Sequence, residues 1–269
     1  MIIGCIKKDD AFVRQFLPAI KKIIDWHKAY VNEKGMLNKM PHWNFVDWPK
    51  EWPWTGIENE SGVPVGATTG NSSILTLQLV MALQKAGELL SNYQDATTAH
   101  NYTTLAETLK KAVYKNCWSS SKGLLADTPD KNIFSQHAQA LAVLTSTLPA
   151  ADEKAVLKNT ISNSSLIQCT YYYRFYLLQA LKKAGMGNLY LEQLTPWRNM
   201  LAIGLTTFAE APEPAAAIAM PGVPALVTTC WQPFVASGQR VPVFPLYASN
   251  RTLATLPFAK EVCRIPMEQ

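Results

Sequence analysis

No run of lysine or arginine with interleaved aromatics, the pattern that tracks a phosphate backbone, occurs in the 269 residues, and the formal net charge is a modest +5. Nucleic acid is therefore not expected as a partner. Charged side chains are scarce, at 17% against 48% hydrophobic, a balance that excludes disorder throughout and can supply one large core or two modest ones. The five cysteines (Cys5, Cys117, Cys169, Cys230, Cys263) are odd in number and never spaced as CxxC. That pattern argues against a disulfide framework and against a zinc site, so free and mostly buried thiols are expected, with no metal and no cofactor. No apolar run is long enough to span a membrane, and Met1 to Cys5 is too short for a signal-peptide core. The chain as it stands is expected to carry no export signal and to make no membrane contact; its localisation stays open.

What is present is helical periodicity. From Ala11 to Tyr30, Phe12, Phe16, Ile20, Ile23 and Ile24 recur every three or four residues between polar neighbours, which predicts an amphipathic helix ended by Gly35. A second helix starts at a cap in Asn71-Ser72-Ser73 and runs to about Tyr93, and a third covers Thr98 to Cys117. Further helices are expected at 133–145, 152–162, 170–184 and 189–201, with short polar or glycine-containing connections. No period-two strand pattern stands out before residue 210. Successive helices on short loops pack as antiparallel pairs, which close as a bundle, a solenoid or an α/α barrel, and no self-similar period favours the solenoid.

One long irregular segment, 36–70, interrupts the pattern. It contains His42, Trp43, Phe45, Asp47, Trp48, Trp52 and Trp54, so four of the eight tryptophans fall within a dozen residues. Aromatics at that density argue for order, and a loop of this length in a compact domain is usually functional. Indole faces beside a carboxylate suit a sugar, whose C–H surfaces stack while its hydroxyls take hydrogen bonds. The alternative is that these tryptophans plug a gap between helical pairs.

Several segments together resemble the catalytic domain of bacterial α-L-rhamnosidases, glycoside hydrolase family 78, an all-α six-hairpin (α/α)6 barrel. They are Phe16-Leu17-Pro18 with Trp26, then Trp43-Asn44-Phe45-Val46-Asp47-Trp48, then Ser135 to Leu144, Thr170 to Leu181, and Trp197 followed by Thr206-Thr207-Phe208-Ala209-Glu210. The resemblance covers roughly residues 8 to 214. It implies inverting hydrolysis of terminal α-L-rhamnose, in which one carboxylic acid protonates the leaving oxygen and one carboxylate activates water. It also implies that Glu210 is the base, that Trp43 and Trp48 line the rhamnose subsite with Trp48 stacking on the sugar, and that Asp47 either holds the loop or contacts sugar. A rhamnosylated carbohydrate or glycoside is the expected partner. His137 sits among Ala138, Leu141 and Ala142 and is expected to be a hydrogen-bonded packing residue, and Tyr171 to Tyr173 are expected in the core.

The family's general acid belongs to an arginine- and glutamate-containing motif upstream of the helix that here begins at Ala11, and no segment of this chain matches it. Glu58 and Glu60 lie near the tryptophan loop but in the wrong context. An inverting hydrolase without its acid leaves a poor leaving group unprotonated, so the chain alone is expected to be inactive. After Glu210 the family continues with an Arg-Ser-Asp-Cys-His-Ala-Trp-Ser-Ala-Ser-Pro-like segment. This chain instead turns rich in alanine and proline, with nine of its 17 prolines beyond residue 211.

Codons permitted for Ala215 to Leu226, read two bases later, translate as Arg-Ser-Asp-Cys-His-Ala-Trp-Ser-Ala-Ser-Pro. Only the first base of each shifted codon is free to be chosen, so agreement along the whole segment rarely arises by chance. The same phase at Glu261 to Glu268 permits Ser-Met-Pro-His-Pro-Asn-Gly, and at Met1 to Lys7 permits Asp-Tyr-Trp-Leu-Tyr-Lys. The expectation is a partial, incomplete barrel over 1–214 and an out-of-frame, irregular or disordered tail over 215–269, with the first six residues also out of frame. A barrel lacking helical pairs exposes apolar faces, which predicts self-association. Two other readings remain open: a different α/α-barrel carbohydrate hydrolase with its acid drawn from Glu58, Glu60 or Asp127, and a non-catalytic helical carbohydrate-binding module.

Overall fold

Amphipathic helices form where the apolar spacing predicts them, in a computed structural model that describes residues 10–57 and 60–205. The order is α1 (Asp10–Lys28), α2 (Ser73–Asn92), α3 (Ala96–Cys117), a two-stranded antiparallel hairpin of β1 (Trp118–Ser119) and β2 (Leu124–Leu125), then α4 (Gln136–Leu144), α5 (Ala150–Ser162), α6 (Arg174–Lys183), α7 (Tyr190–Gln193) and α8 (Thr195–Ala202). The described part is thus an all-α assembly of helical pairs. The C-terminal tail expected from the sequence lies outside the described residues.

Capping fixes where the long helices begin. The Ser72 hydroxyl accepts from the Leu75 amide at the head of α2, the Asp95 carboxylate accepts from Thr98 at the head of α3, and the Ser135 hydroxyl accepts from Ala138 at the head of α4. Helix α4 therefore starts at Gln136, later than the periodicity alone suggests. Helix α6 also starts late, at Arg174, because the Thr170 amide and hydroxyl are committed to Asp47. The single helix expected over 189–201 divides into α7 and α8, with Pro196 in the first turn of α8. The β1–β2 hairpin was not expected; two-residue strands are too short to show a period-two pattern.

Packing arranges these helices in two rows. Helix α2 packs most extensively on α3, α4 packs on α2, α5 and α6, and α1 packs on α2. Helices α2, α4 and α6 form the inner row, and α4 is its centre, with Gln136 through Val143 buried. The polar side chains of α4, Gln136, His137 and Gln139, are buried with hydrogen-bond partners, and the rest of the helix is apolar. The inner helices run parallel, since their amino ends are tied together: the Ser73 amide donates to the Asp127 carbonyl at 2.8 Å, and Ser135 pairs with Ile167 in a parallel bridge just ahead of α6. The long segments that precede them, 29–72, 118–135 and 163–173, consequently gather at one end.

Helix α1 is the least covered. Only Val13 and Ile24 of it are buried, while Phe12, Phe16, Ile23 and Trp26 are exposed. Among the described residues no helix is long and apolar enough to cross a membrane. Cys117 and Cys169 are free and buried, and burial pushes both thiols up to about 12, which makes them packing groups rather than nucleophiles. Cys5, Cys230 and Cys263 lie outside the described residues.

Candidate functional site

The tryptophan loop is pinned to the amino ends of α4 and α6 by one buried carboxylate. Asp47, 2% exposed, accepts from the Thr170 amide at 2.9 Å, from the Thr170 hydroxyl, and from His137 Nε2 at 2.7 Å. Both Asp47 oxygens are thus engaged within the protein and tie the loop to the starts of α4 and α6. His137 is fully buried in the first turn of α4, with its ring 4.7 Å from Trp52 and 4.3 Å from Tyr173. Its Nε2 faces Asp47, and its Nδ1 has no hydrogen-bond partner.

From that anchor the loop lifts an aromatic patch to the surface. Rings of Trp43 and Phe45 lie 5.3 Å apart, Phe45 and Trp48 5.0 Å, Trp43 and Trp48 6.2 Å, and Trp48 and Trp54 6.3 Å. Trp43 and Phe45 are each 37% exposed and Trp54 61%, with Trp48 half-buried between them. The Trp43 indole donates to the Ser61 carbonyl at 2.7 Å, which fixes its plane. Gly62, at φ +65°, lets the Phe45 ring lie against the backbone; a Cβ there would meet that ring at 2.6 Å. Trp52 behaves differently: it is buried and fills the space beside His137. One tryptophan of the four thus plugs the interior and three reach the surface.

Asp127 joins the amino ends of α2 and α4 from inside. Its carbonyl accepts from Ser73, its Oδ1 accepts from the Ser135 hydroxyl at 2.8 Å, and its Oδ2 is buried without a partner. Burial pushes this carboxyl up to about 7, against the lowering effect of the Ser135 bond. A fully buried acid facing two helix starts has no path to a substrate. Glu60 is exposed on a turn, while Glu58 and the expected base Glu210 lie outside the described residues. Tyr171 and Tyr173 are buried and Tyr172 is exposed. Among the described residues no group of three or more histidine, cysteine, aspartate or glutamate side chains is arranged to hold a metal ion.

The pairing of Asp47 with His137 and Thr170 was not legible in the sequence, because its partners lie 90 and 123 residues away. Asp127 carried a local signal: it follows the apolar run Leu124-Leu125-Ala126, where an ionised group is out of place.

The family described as bacterial alpha-L-rhamnosidase 6 hairpin glycosidase domain matches residues 6–211. Among solved structures, a family 78 rhamnosidase of Bacillus sp. GL1 is 23% identical with a TM-score of 0.63, over 76% of this chain and 21% of the other. A rhamnosidase from Klebsiella oxytoca, solved with rhamnose bound, is 19% identical with a TM-score of 0.65, over 81% of this chain and 40% of the other. This chain therefore spans between a fifth and two fifths of the length of these solved chains, and at such identities the likeness is one of fold. No curated protein sequence matches.

Proposed function

The chain belongs to the bacterial α-L-rhamnosidase six-hairpin glycosidase family, and from that premise we propose that it carries the sugar-recognising part of an inverting α-L-rhamnosidase. The observation that supports this most is the surface patch of Trp43, Phe45, Trp48 and Trp54, held by Asp47 at the end where the inner helices begin. Clustered, mutually tilted indoles offer the apolar, polarisable surface that the C–H face of a pyranose matches. In this reading Trp48 stacks on rhamnose, Trp43 flanks it, and Asp47 acts at one remove by keeping the loop in place.

Glu210 is the proposed water-activating base. No segment supplies the family's general acid, so protonation of the leaving oxygen has no donor and the chain binds without turning over. Residues 215–269 are proposed to be out-of-frame sequence, and the gene settles that point: codons incompatible with the Arg-Ser-Asp-Cys-His reading contradict it. The activity test is a panel of nitrophenyl glycosides with the wild type and Glu210→Gln. The proposal expects release at the background rate from every sugar. Slow release from the α-L-rhamnoside alone, abolished by Glu210→Gln, would correct the inactivity and keep the family chemistry. Release from a different sugar alone would overturn the assignment in favour of another α/α-barrel hydrolase.

A further inference from the structure

A cavity of about 370 Å³ opens among the same segments that precede the inner helices. Its wall takes Glu51 and Trp52 from the tryptophan loop, Lys122 from the β1–β2 turn, Asn132 and Phe134 from the approach to α4, and Ser165 from the approach to α6. The size falls near the lower end of small-ligand sites, roughly 300–1,000 Å³, which suits one ring rather than an extended oligomer.

The lining divides by depth and by hydrogen-bonding sense. Trp52 and Phe134 are buried and give an apolar floor, while Glu51, Lys122, Asn132 and Ser165 are exposed and form a polar rim. The Lys122 ammonium sits 4.5 Å over the Phe134 ring and has no carboxylate partner among the described residues. Glu51 faces only the exposed Lys50, at 3.8 Å, beyond hydrogen-bond length. Asn132 donates to Asp130 at 3.3 Å, and the Ser165 hydroxyl donates to Asn163 at 2.6 Å, which leaves both side-chain oxygens as acceptors. The Trp52 indole N–H is buried with no acceptor.

A rim with one donor-only cation and one acceptor-only anion above an apolar floor discriminates by class. An anion would face Glu51, a cation would face Lys122, and a purely apolar guest would desolvate both. A sugar hydroxyl donates and accepts at once, so vicinal hydroxyls satisfy both groups while the ring's C–H face covers Phe134 and Trp52. We propose that this cavity is a second saccharide subsite, for a neutral pyranose, and that it takes the sugar to which rhamnose is attached. The second clause rests on the rhamnosidase reading; its basis is that Glu51 and Trp52 belong to the loop that carries Trp48.

Indole N–H resonances of the full chain, followed by NMR during titration, test it with L-rhamnose, D-glucose, an α-L-rhamnosyl-D-glucose disaccharide and D-glucuronate. The disaccharide should shift both the Trp48 and the Trp52 resonance. Lys122→Met and Glu51→Gln, both on the exposed rim, should each weaken disaccharide binding about tenfold, as loss of a charged hydrogen bond does, and leave L-rhamnose binding unchanged. A silent Trp52 resonance, or disaccharide affinity unaltered in both variants, overturns the subsite, as does tighter binding of glucuronate than of glucose. If Trp52 responds to glucose while Trp48 ignores rhamnose, the cavity stands and the rhamnosidase reading fails. If Trp48 responds and Trp52 does not, the cavity alone fails.

Discussion

Two buried aspartates do opposite work at the inner-helix amino ends. Asp47 is surrounded by donors, so replacing it by asparagine turns one acceptor into a donor facing Thr170 or His137; a cost of about 3 kcal/mol is expected, measured as a lowered urea midpoint. The near-UV signal of the aromatic patch should weaken with it. Asp127 has the reverse problem, a buried oxygen with no donor, and its carboxyl is raised from 3.8 to about 7 by burial. Below pH 3.8 the folded and unfolded chains are both protonated there, and the stabilising contribution is fully present. As pH rises toward 7 the unfolded chain releases its proton first, so stability falls and the contribution is lost above about 7. The amino ends of α2 and α4 favour an anion, so about 4 kcal/mol is an upper bound for that loss. Asp127→Asn should match the wild type at pH 4 and exceed it at pH 8 in urea unfolding; a variant that remains less stable at pH 8 contradicts the buried-acid account. At this scale the sequence showed which residues were unusual, Trp43, Asp47 and Trp48, but not what they touch. A carboxylate's partners are set by tertiary pairing across many residues, which no local pattern encodes.

Helix starts are where local chemistry and the site meet. Ser72 caps α2 through one bond, whereas Ser135 both caps α4 and donates to Asp127. Ser72→Ala should cost about 1 kcal/mol and Ser135→Ala about 2 kcal/mol, with the excess falling away when it is combined with Asp127→Ala, which removes the acceptor of the Ser135 hydroxyl. Chemical denaturation of the wild type, the three single variants and the Ser135–Asp127 double variant measures both the costs and the coupling. Helix positions were well read from periodicity, as α1, α2 and α3 show, because an amphipathic stripe is a local property. The misplaced starts of α4 and α6 and the break between α7 and α8 trace to a serine cap, a threonine held by Asp47, and a proline in a first turn. The tryptophan loop was legible as one unit by composition, yet its division into a buried Trp52, a half-buried Trp48 and an exposed Trp43 and Trp54 needed the position of His137.

At the scale of the whole molecule, the described helices form an inner row of α2, α4 and α6 with outer partners, and α1 leaves one apolar face to solvent. Phe12, Phe16, Ile23 and Trp26 on that face favour self-association, which sedimentation should show as a mass rising with concentration. Ile23→Glu should reduce the association without lowering the melting temperature, since Ile23 is 59% exposed. The helical-pair character was legible because amphipathic helices recur along the matched residues, 6–211; the cavity was not, because separate segments far apart in the chain build it. The central claim is that the aromatic patch recognises rhamnose. Titration of L-rhamnose into the full chain, followed by tryptophan fluorescence and compared with Trp48→Ala, tests it most directly. The account predicts saturable binding that Trp48→Ala abolishes while D-glucose fails to compete at the patch; no binding by the wild type, or equal binding by the variant, would contradict it.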